Sequence, residues 1–276
     1  GLLRRPRWRW SDAGVHKIGR LMLPAIFGSS VSQVALLLDV LIASFLATGS
    51  IAWLYYADRL MEFPLGVFSI ALATVILPGL AAHHAAQSPE RFTATLDWAL
   101  RLVVIVVLPA TAALIVLSGP LTVTIFHYGK FDEHDVRMAS LALTAYATGL
   151  LAFSMVKVLA PGYFARQDTR TPVRIGIQSL GVNMSLNLLV VLPLALIYPD
   201  RPGLHALLAL NNAAGAWYNS TMLYRGLRKQ GVLHHASGWR RMLWQVAAGN
   251  VVMIAFLWFV AGDTQRWIDM GAWSRA

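Results

Sequence analysis

Long apolar runs separated by short polar stretches dominate this chain. Seven of them approach membrane-spanning length: residues 21–46, 63–82, 98–117, 139–159, 175–197, 204–224 and 243–260. A helix rising about 1.5 Å per residue needs about 20 residues to cross a hydrocarbon core of about 30 Å. The runs are too long and too uniformly apolar for barrel strands, which alternate over about 10 residues. The pattern therefore predicts an all-α polytopic membrane protein with about seven transmembrane helices. The connections hold Gly, Pro and charge, as turns do.

Composition agrees. The chain is 57% hydrophobic and 13% charged, against about 25% charged in soluble domains. It contains no cysteine, which excludes disulfides and thiolate metal sites and leaves the redox compartment unread. The net charge of +10 invites a nucleic-acid reading, but in a membrane protein basic residues record topology and anionic headgroups. Residues 1–20 hold Arg4, Arg5, Arg7, Arg9, Lys17 and Arg20 with Trp8 and Trp10 among them. That mixture reads as an interfacial segment, with Trp at headgroup level and Arg toward phosphates. The chain opens on Gly1 without an initiator Met or signal peptide, as a piece of a longer protein would.

The basic residues are unevenly shared between the two sides. Residues 1–20 and the loops 83–101, 157–174 and 225–241 hold 17 Lys and Arg. The connections on the other side, near 47–62, 118–138, 198–203 and 261–267, hold five: Arg59, Lys130, Arg137, Arg201 and Arg266. The positive-inside rule places the N-terminus in the cytoplasm, so the first span runs outward.

Within the spans, polar residues stand out. Asp39 lies well inside the first run, where a carboxylate costs about 2.5–3.5 kcal/mol to insert. It is either a hydrogen-bonded structural acid or a cation or proton site. Asn183 and Asn187 share one helical face, extended by Ser179, and residues 204–224 carry Asn211, Asn212, Gly215 and Asn219 at helical spacing. Amides of this kind either glue helices together or, with Asp39, offer oxygen ligands to a hard cation such as Na+.

The segment 55–64 packs Asp58, Arg59 and Glu62 into a stretch between two apolar runs. Pro64 either opens a helix or kinks one that is already running. Arg59 is either an end charge paired with Glu62 or Asp58, or a guanidinium projecting into a cavity, where its fork suits phosphate. The pairs His83-His84 and His234-His235 read as solvated loop residues. No phosphate-binding loop, nucleophile elbow or HExxH motif occurs, and nothing reads as an enzyme.

Four stretches read together are familiar: SIAWLYYADRLMEFP at 50–64, LGVFSIALATVILP at 65–78, SGPLTVTIFHYGKFD at 118–132 and KVLAPGYFARQDTRTP at 157–172. In order and wording they resemble the MurJ/MviN family, the bacterial lipid II flippases of the MOP exporter superfamily. The resemblance runs over most of the chain and is weakest after about Gly231. It implies the C-terminal lobe of a MOP-type flippase. Residues 1–20 would be a cytoplasmic basic segment, 21–230 family spans seven to twelve, and 231–276 an additional helix and truncated end. It implies alternating-access flipping of lipid II across the bacterial inner membrane, with the N-terminal lobe and bilayer lipids as partners and no nucleic acid.

On the same resemblance Arg59 is the substrate-binding arginine, supported by Asp58 and Glu62. Asp39, Asn183, Asn187 and, more loosely, Asn211 match a Na+ site found in some members. One family ligand is Asp where this chain has Asn187, so the site here carries less negative charge. No cofactor is implied beyond Na+ or another monovalent ion. Lys157 and residues 166–172 fall to cytoplasmic gating or folding. The rival readings are another MOP-superfamily transporter (a polysaccharide-precursor flippase or a drug/cation antiporter) and a non-transporting membrane scaffold.

Overall fold

The computed structural model describes residues 33–198, 201–234 and 237–270, together with residues 19, 22, 26 and 30. Apart from those four positions, the interfacial segment 1–20 and the start of the first run lie outside the described residues, as do His235 and residues 271–276. The described residues are helical and contain no strand.

The helices follow the apolar runs closely. They are α1 (Gln33–Ala43), α2 (Ser50–Ala85), α3 (Pro89–Val116), α4 (Ser118–Phe126), α5 (Glu133–Ala147), α6 (Leu150–Phe164), α7 (Arg170–Ile197), α8 (Leu204–Lys229), α9 (Trp239–Ala261) and α10 (Thr264–Asp269). Local chemistry sets several starts. Ser88 precedes α3, with Pro89 in its first turn and Glu90 beside it, where a missing N–H is harmless and a negative charge favourable. Asp132 caps α5, and its side chain and that of Asp135 each accept the other's backbone N–H, a reciprocal capping box.

Among the described residues, four helices are long and apolar enough to cross a membrane: α2, α3, α7 and α9. The pair α5 and α6 makes a fifth, bent by 40°. Residues 139–159, read as one straight span, are therefore a broken one. The break falls at Gly149, where a Cβ would lie 2.8 Å from Ala213 Cα; only glycine lets α8 pass that closely. α8 has 26 residues, ample for crossing, but its asparagines keep it below the apolarity of the other four. α1 is described from Gln33 onward.

The expected connection at 47–62 is the clearest departure. α2 begins at Ser50, so the segment 55–64 is already helical and Pro64 lies inside the helix. A π-helical stretch, Leu65–Ile70, follows the proline, a wide turn that accommodates the hydrogen bond proline cannot make. α7 uses the same device: Asn187–Val191 is π-helical just ahead of Pro193.

α8 is the central helix, packed on α5, α6 and α7, while α2 packs on α3, α5 and α6. Leu143, Leu150, Leu159, Leu208, Leu223 and Leu227 are fully buried there. Tyr163 is buried with them, and its hydroxyl donates to the Leu223 carbonyl (2.8 Å). α9 is peripheral, packs on α3, and exposes Trp244, Val252, Phe256, Trp258 and Phe259. Its base is tied down by Asp97, which accepts from Arg101 Nε (2.8 Å) and Trp239 Nε1 (2.7 Å).

The up-and-down order puts the α2–α3, α6–α7 and α8–α9 connections at one end of the bundle, hereafter the basic end. There His84 and His234 are exposed and His83 partly so.

Candidate functional site

Two polar regions occupy the spans. The first is buried between α1, α7 and α8. Asn187, with 0% exposure, is its hub. Its Nδ2 donates to Asp39 Oδ1 (3.0 Å) and to Asn183 Oδ1 (2.7 Å), and its Oδ1 accepts from Asn211 Nδ2 (2.8 Å). Asn212 closes the ring: its Nδ2 donates to Asp39 Oδ2 (2.9 Å), and its Oδ1 accepts from Asn183 Nδ2 (2.6 Å). Both carboxylate oxygens of Asp39 therefore receive an amide donor, which offsets part of the cost of holding a carboxylate at membrane depth.

Small residues bring α7 and α8 together around this ring. Ser179 Oγ donates to the Gly215 carbonyl (2.7 Å), and a Cβ on Gly215 would lie 3.4 Å from Asn183 Cβ. The structure thus brings Asp39, Asn183, Asn187 and Asn211 into one cluster and adds Asn212. Sequence reasoning had Asn212 on the polar face but not among the ligands. Adjacent positions point about 100° apart, so spacing could not tell that both members of the Asn211-Asn212 pair serve the same ring. Tyr146 on α5 was missed altogether. Its hydroxyl lies beside Asn212 and within electrostatic reach of Asp39 and Asp58. Nothing in the pattern of residues 139–159 marks it.

Chemically, the ring holds one carboxylate and four amides. An amide presents an oxygen or an N–H pair according to how it is turned. In the described arrangement N–H groups face Asp39. Turned over, Asn187 and Asn212 would offer oxygens beside the carboxylate, a donor set suited to a hard cation. Among the described residues, no cluster of three or more His, Cys, Asp or Glu has metal-binding geometry.

The second region lies on α2 and is open. Arg59 Nη1 donates to Glu62 Oε2 (2.6 Å), with the two side chains 52% and 49% exposed. The guanidinium sits 4.9 Å over the Tyr55 ring. Asp58, expected to help hold Arg59, is half-buried and acts on the guanidinium electrostatically, while the ion pair of Arg59 is made with Glu62. Arg59 and Glu62, three positions apart, share one face of the helix, and among the described residues it is Glu62 that makes the ion pair with Arg59. The opposite face of α2 is anchored by Trp53, whose Nε1 donates to Asp135 Oδ1 (2.7 Å).

Fold and ring together define a polytopic helical membrane protein that holds a polar cluster among its spans. More specifically, the chain belongs to the MurJ family: the model described as "Lipid II flippase MurJ" matches residues 1–272. It is 45% identical over 281 residues to a "Probable lipid II flippase MurJ" of Haemophilus influenzae, covering 100% of this chain and 53% of that protein. A protein of the same description from Vibrio cholerae is 47% identical, with 100% and 51% covered. The chain thus spans about half the length of the curated relatives it matches.

Among solved structures, one described as "Lipid II flippase MurJ, inward closed conformation" is similar with a TM-score of 0.72 at 22% identity, over 93% of this chain and 51% of the other. An outward-facing multidrug resistance MATE family transporter of the MOP superfamily gives a TM-score of 0.65 at 17% identity, over 83% and 50%. At these identities the likeness concerns the fold.

Proposed function

We propose that this chain is the C-terminal lobe of a lipid II flippase of the bacterial inner membrane, working by alternating access with an N-terminal lobe. The observation that carries the reading is Arg59. A guanidinium half-exposed along a membrane-crossing helix, restrained only by groups on its own helix, is presented toward something outside this lobe. A pyrophosphate-linked headgroup is a fitting ligand, because the guanidinium fork matches two phosphate oxygens at once. One arginine leaves much of a pyrophosphate's charge unmatched, so the remaining cations come from the other lobe. Glu62 and the Tyr55 ring hold the fork in place before the ligand arrives, which lowers the ordering cost of binding. The names of the relatives support the substrate, and the excess of Lys and Arg in residues 1–20 and at the basic end supports a cytoplasmic location for both.

In this scheme the lobes rock about the bound headgroup while the lipid tail stays in the bilayer. The function is transport, not catalysis. The Asp39 ring is where a monovalent cation such as Na+ would bind, with the Asp39 carboxylate and the amide oxygens of Asn183, Asn187 (turned over) and Asn211 as ligands. Such an ion moving inward through 100 mV releases about 2.3 kcal/mol per charge. With asparagine at 187, a single carboxylate faces the ion.

A second reading, a drug or cation antiporter, is favoured by the fold likeness to the MATE transporter. Binding to the full-length protein separates the two. The flippase reading expects saturable binding of a polyprenyl-pyrophosphate lipid bearing the sugar-peptide head, reduced at least tenfold by Arg59→Ala. Saturable binding of organic cations with no response to the lipid would establish the antiporter instead.

A further inference from the structure

The Asp39 ring lies far from the basic end: Asn183 is 13 positions along α7 from Arg170, the first residue of that helix, or about 20 Å at 1.5 Å per residue. A cation bound there and destined for the cytoplasm needs a way out. A cleft of 520 Å³ occupies that interval. It runs lengthwise between three helices, bordered from Pro172 to Asn183 on α7, from Leu223 back to Asn212 on α8 and from Phe164 back to Phe153 on α6. Each border covers the same 11 positions, about 17 Å. Ala35, one helical turn from Asp39, also borders it. The cleft therefore begins at the ring amides and ends at the basic-end turns.

Its walls are fit for water. Ser179, Asn183, Asn212 and Asn219 face it. The Oδ1 of Asn219 is buried and lacks a hydrogen-bond partner among the described residues. A buried amide oxygen left unpaired costs about 1–3 kcal/mol, which a water in the cleft removes, and the volume holds on the order of ten waters. Lys157, exposed and without an ion pair among the described residues, borders the cleft. It lies four positions along α6 from Phe153, nearer the ring than the basic end, and its positive charge lowers cation occupancy nearby. Arg59 does not border this cleft.

We propose that this cleft is the aqueous route by which the cation of the Asp39 ring exchanges with the cytoplasm, inside the lobe and apart from the surface that carries Arg59. The inference rests on the cation reading given above. It extends that reading by assigning the ion its own path, separate from the one taken by the lipid headgroup.

Cysteine accessibility tests it well, because this chain contributes no native thiol. Gly176 lies on the cleft wall, and a side chain there meets nothing within 4 Å, so Gly176→Cys is expected to fold. Ile177, its exposed neighbour at the same depth, does not border the cleft and serves as the control. In the full-length protein, a membrane-impermeant cationic methanethiosulfonate applied from the cytoplasmic side is expected to modify Gly176→Cys at least tenfold faster than Ile177→Cys. Na+ is expected to slow that modification with Asp39 intact but not in Asp39→Asn, and Lys157→Gln is expected to lower several-fold the Na+ needed.

Equal rates at 176 and 177, or modification from the periplasmic side alone, would overturn the route. If Na+ binding measured directly depends on Asp39 while Gly176→Cys stays unmodified, the route falls and the cation reading stands. If Gly176→Cys is modified but neither labelling nor direct binding responds to Na+, the cation reading falls and takes the route's cargo with it.

Discussion

The buried ring around Asp39 and the open group around Arg59 solve opposite problems with similar materials. Each sets a charged side chain on a membrane-crossing segment. Asp39 has its carboxylate met by amides from two other helices, so its neighbours are fixed by the tertiary fold. Arg59 has Glu62 and Tyr55, both within about one turn of its own helix. Removing a ring member therefore disturbs three helices, whereas removing Arg59 disturbs almost nothing inside the lobe. A charge whose loss costs the fold so little fits the use proposed for it outside the lobe.

The largest effect expected from this contrast is functional. Arg59→Ala lowers transport or complementation by the full-length protein by at least 100-fold, with membrane insertion unchanged. Its effect on thermal unfolding in detergent stays within about 0.5 kcal/mol, because an exposed ion pair at this spacing contributes only a few tenths of a kcal/mol. A variant that transports normally breaks the contrast from the functional side.

The ring gives the reverse pattern. Asn187→Leu removes three hydrogen bonds at once and leaves Asp39 and Asn183 short of partners. At about 0.6 kcal/mol for a typical interhelical bond in a membrane, and more for a connected network, the loss is about 2 kcal/mol. Denaturant or thermal unfolding of the purified protein measures it; an unchanged midpoint would mean the ring does not hold α1, α7 and α8 together.

Asn187→Asp sharpens the comparison. It adds a second carboxylate beside Asp39, so like charges destabilise the protein without a cation and a cation offsets the repulsion. Na+ is expected to raise the unfolding temperature of Asn187→Asp more than that of the parent, with apparent affinity increased about tenfold. An equal response in both proteins would detach Asn187 from ion binding. The smallest effect belongs to Glu62→Gln, which keeps the shape but drops the ion pair. Stability changes by a few tenths of a kcal/mol, and headgroup affinity falls several-fold as the guanidinium loses its restraint.

The spans were readable from sequence because lipid imposes a simple rule: backbone groups must be satisfied internally, so apolar length translates directly into helix. Five of the seven runs match a described helix to within a few residues at one or both ends, and residues 139–159 straddle α5 and α6. The seventh, beginning at Leu21, is described mainly from Gln33. Where the reading went astray, a local feature outranked apolarity. Segment 55–64 could be read as a connection or as a helix already running, and the structure shows the helix, along which Tyr55, Arg59 and Glu62 satisfy one another. Residues 139–159 looked like one straight span, but Gly149 breaks it against α8.

The site was legible by residue type and only partly by partnership. Asp39, Asn183, Asn187 and Asn211 announced themselves as polar groups at membrane depth, and they do meet. Spacing could not show that Asn212 completes the ring, since that depends on how α1 crosses both α7 and α8. Nor could it show that the ion pair of Arg59 is made with Glu62 and not with Asp58. Tyr146 carries no signal at all in a run where an aromatic residue is unremarked.

The central claim is that Arg59 serves a ligand outside the lobe rather than the lobe itself. The most direct test measures unfolding and binding of the pyrophosphate-linked lipid headgroup on the same purified full-length Arg59→Ala protein. The account predicts an unfolding midpoint equal to that of the parent and headgroup binding weakened at least tenfold. A lowered midpoint with binding intact would contradict it.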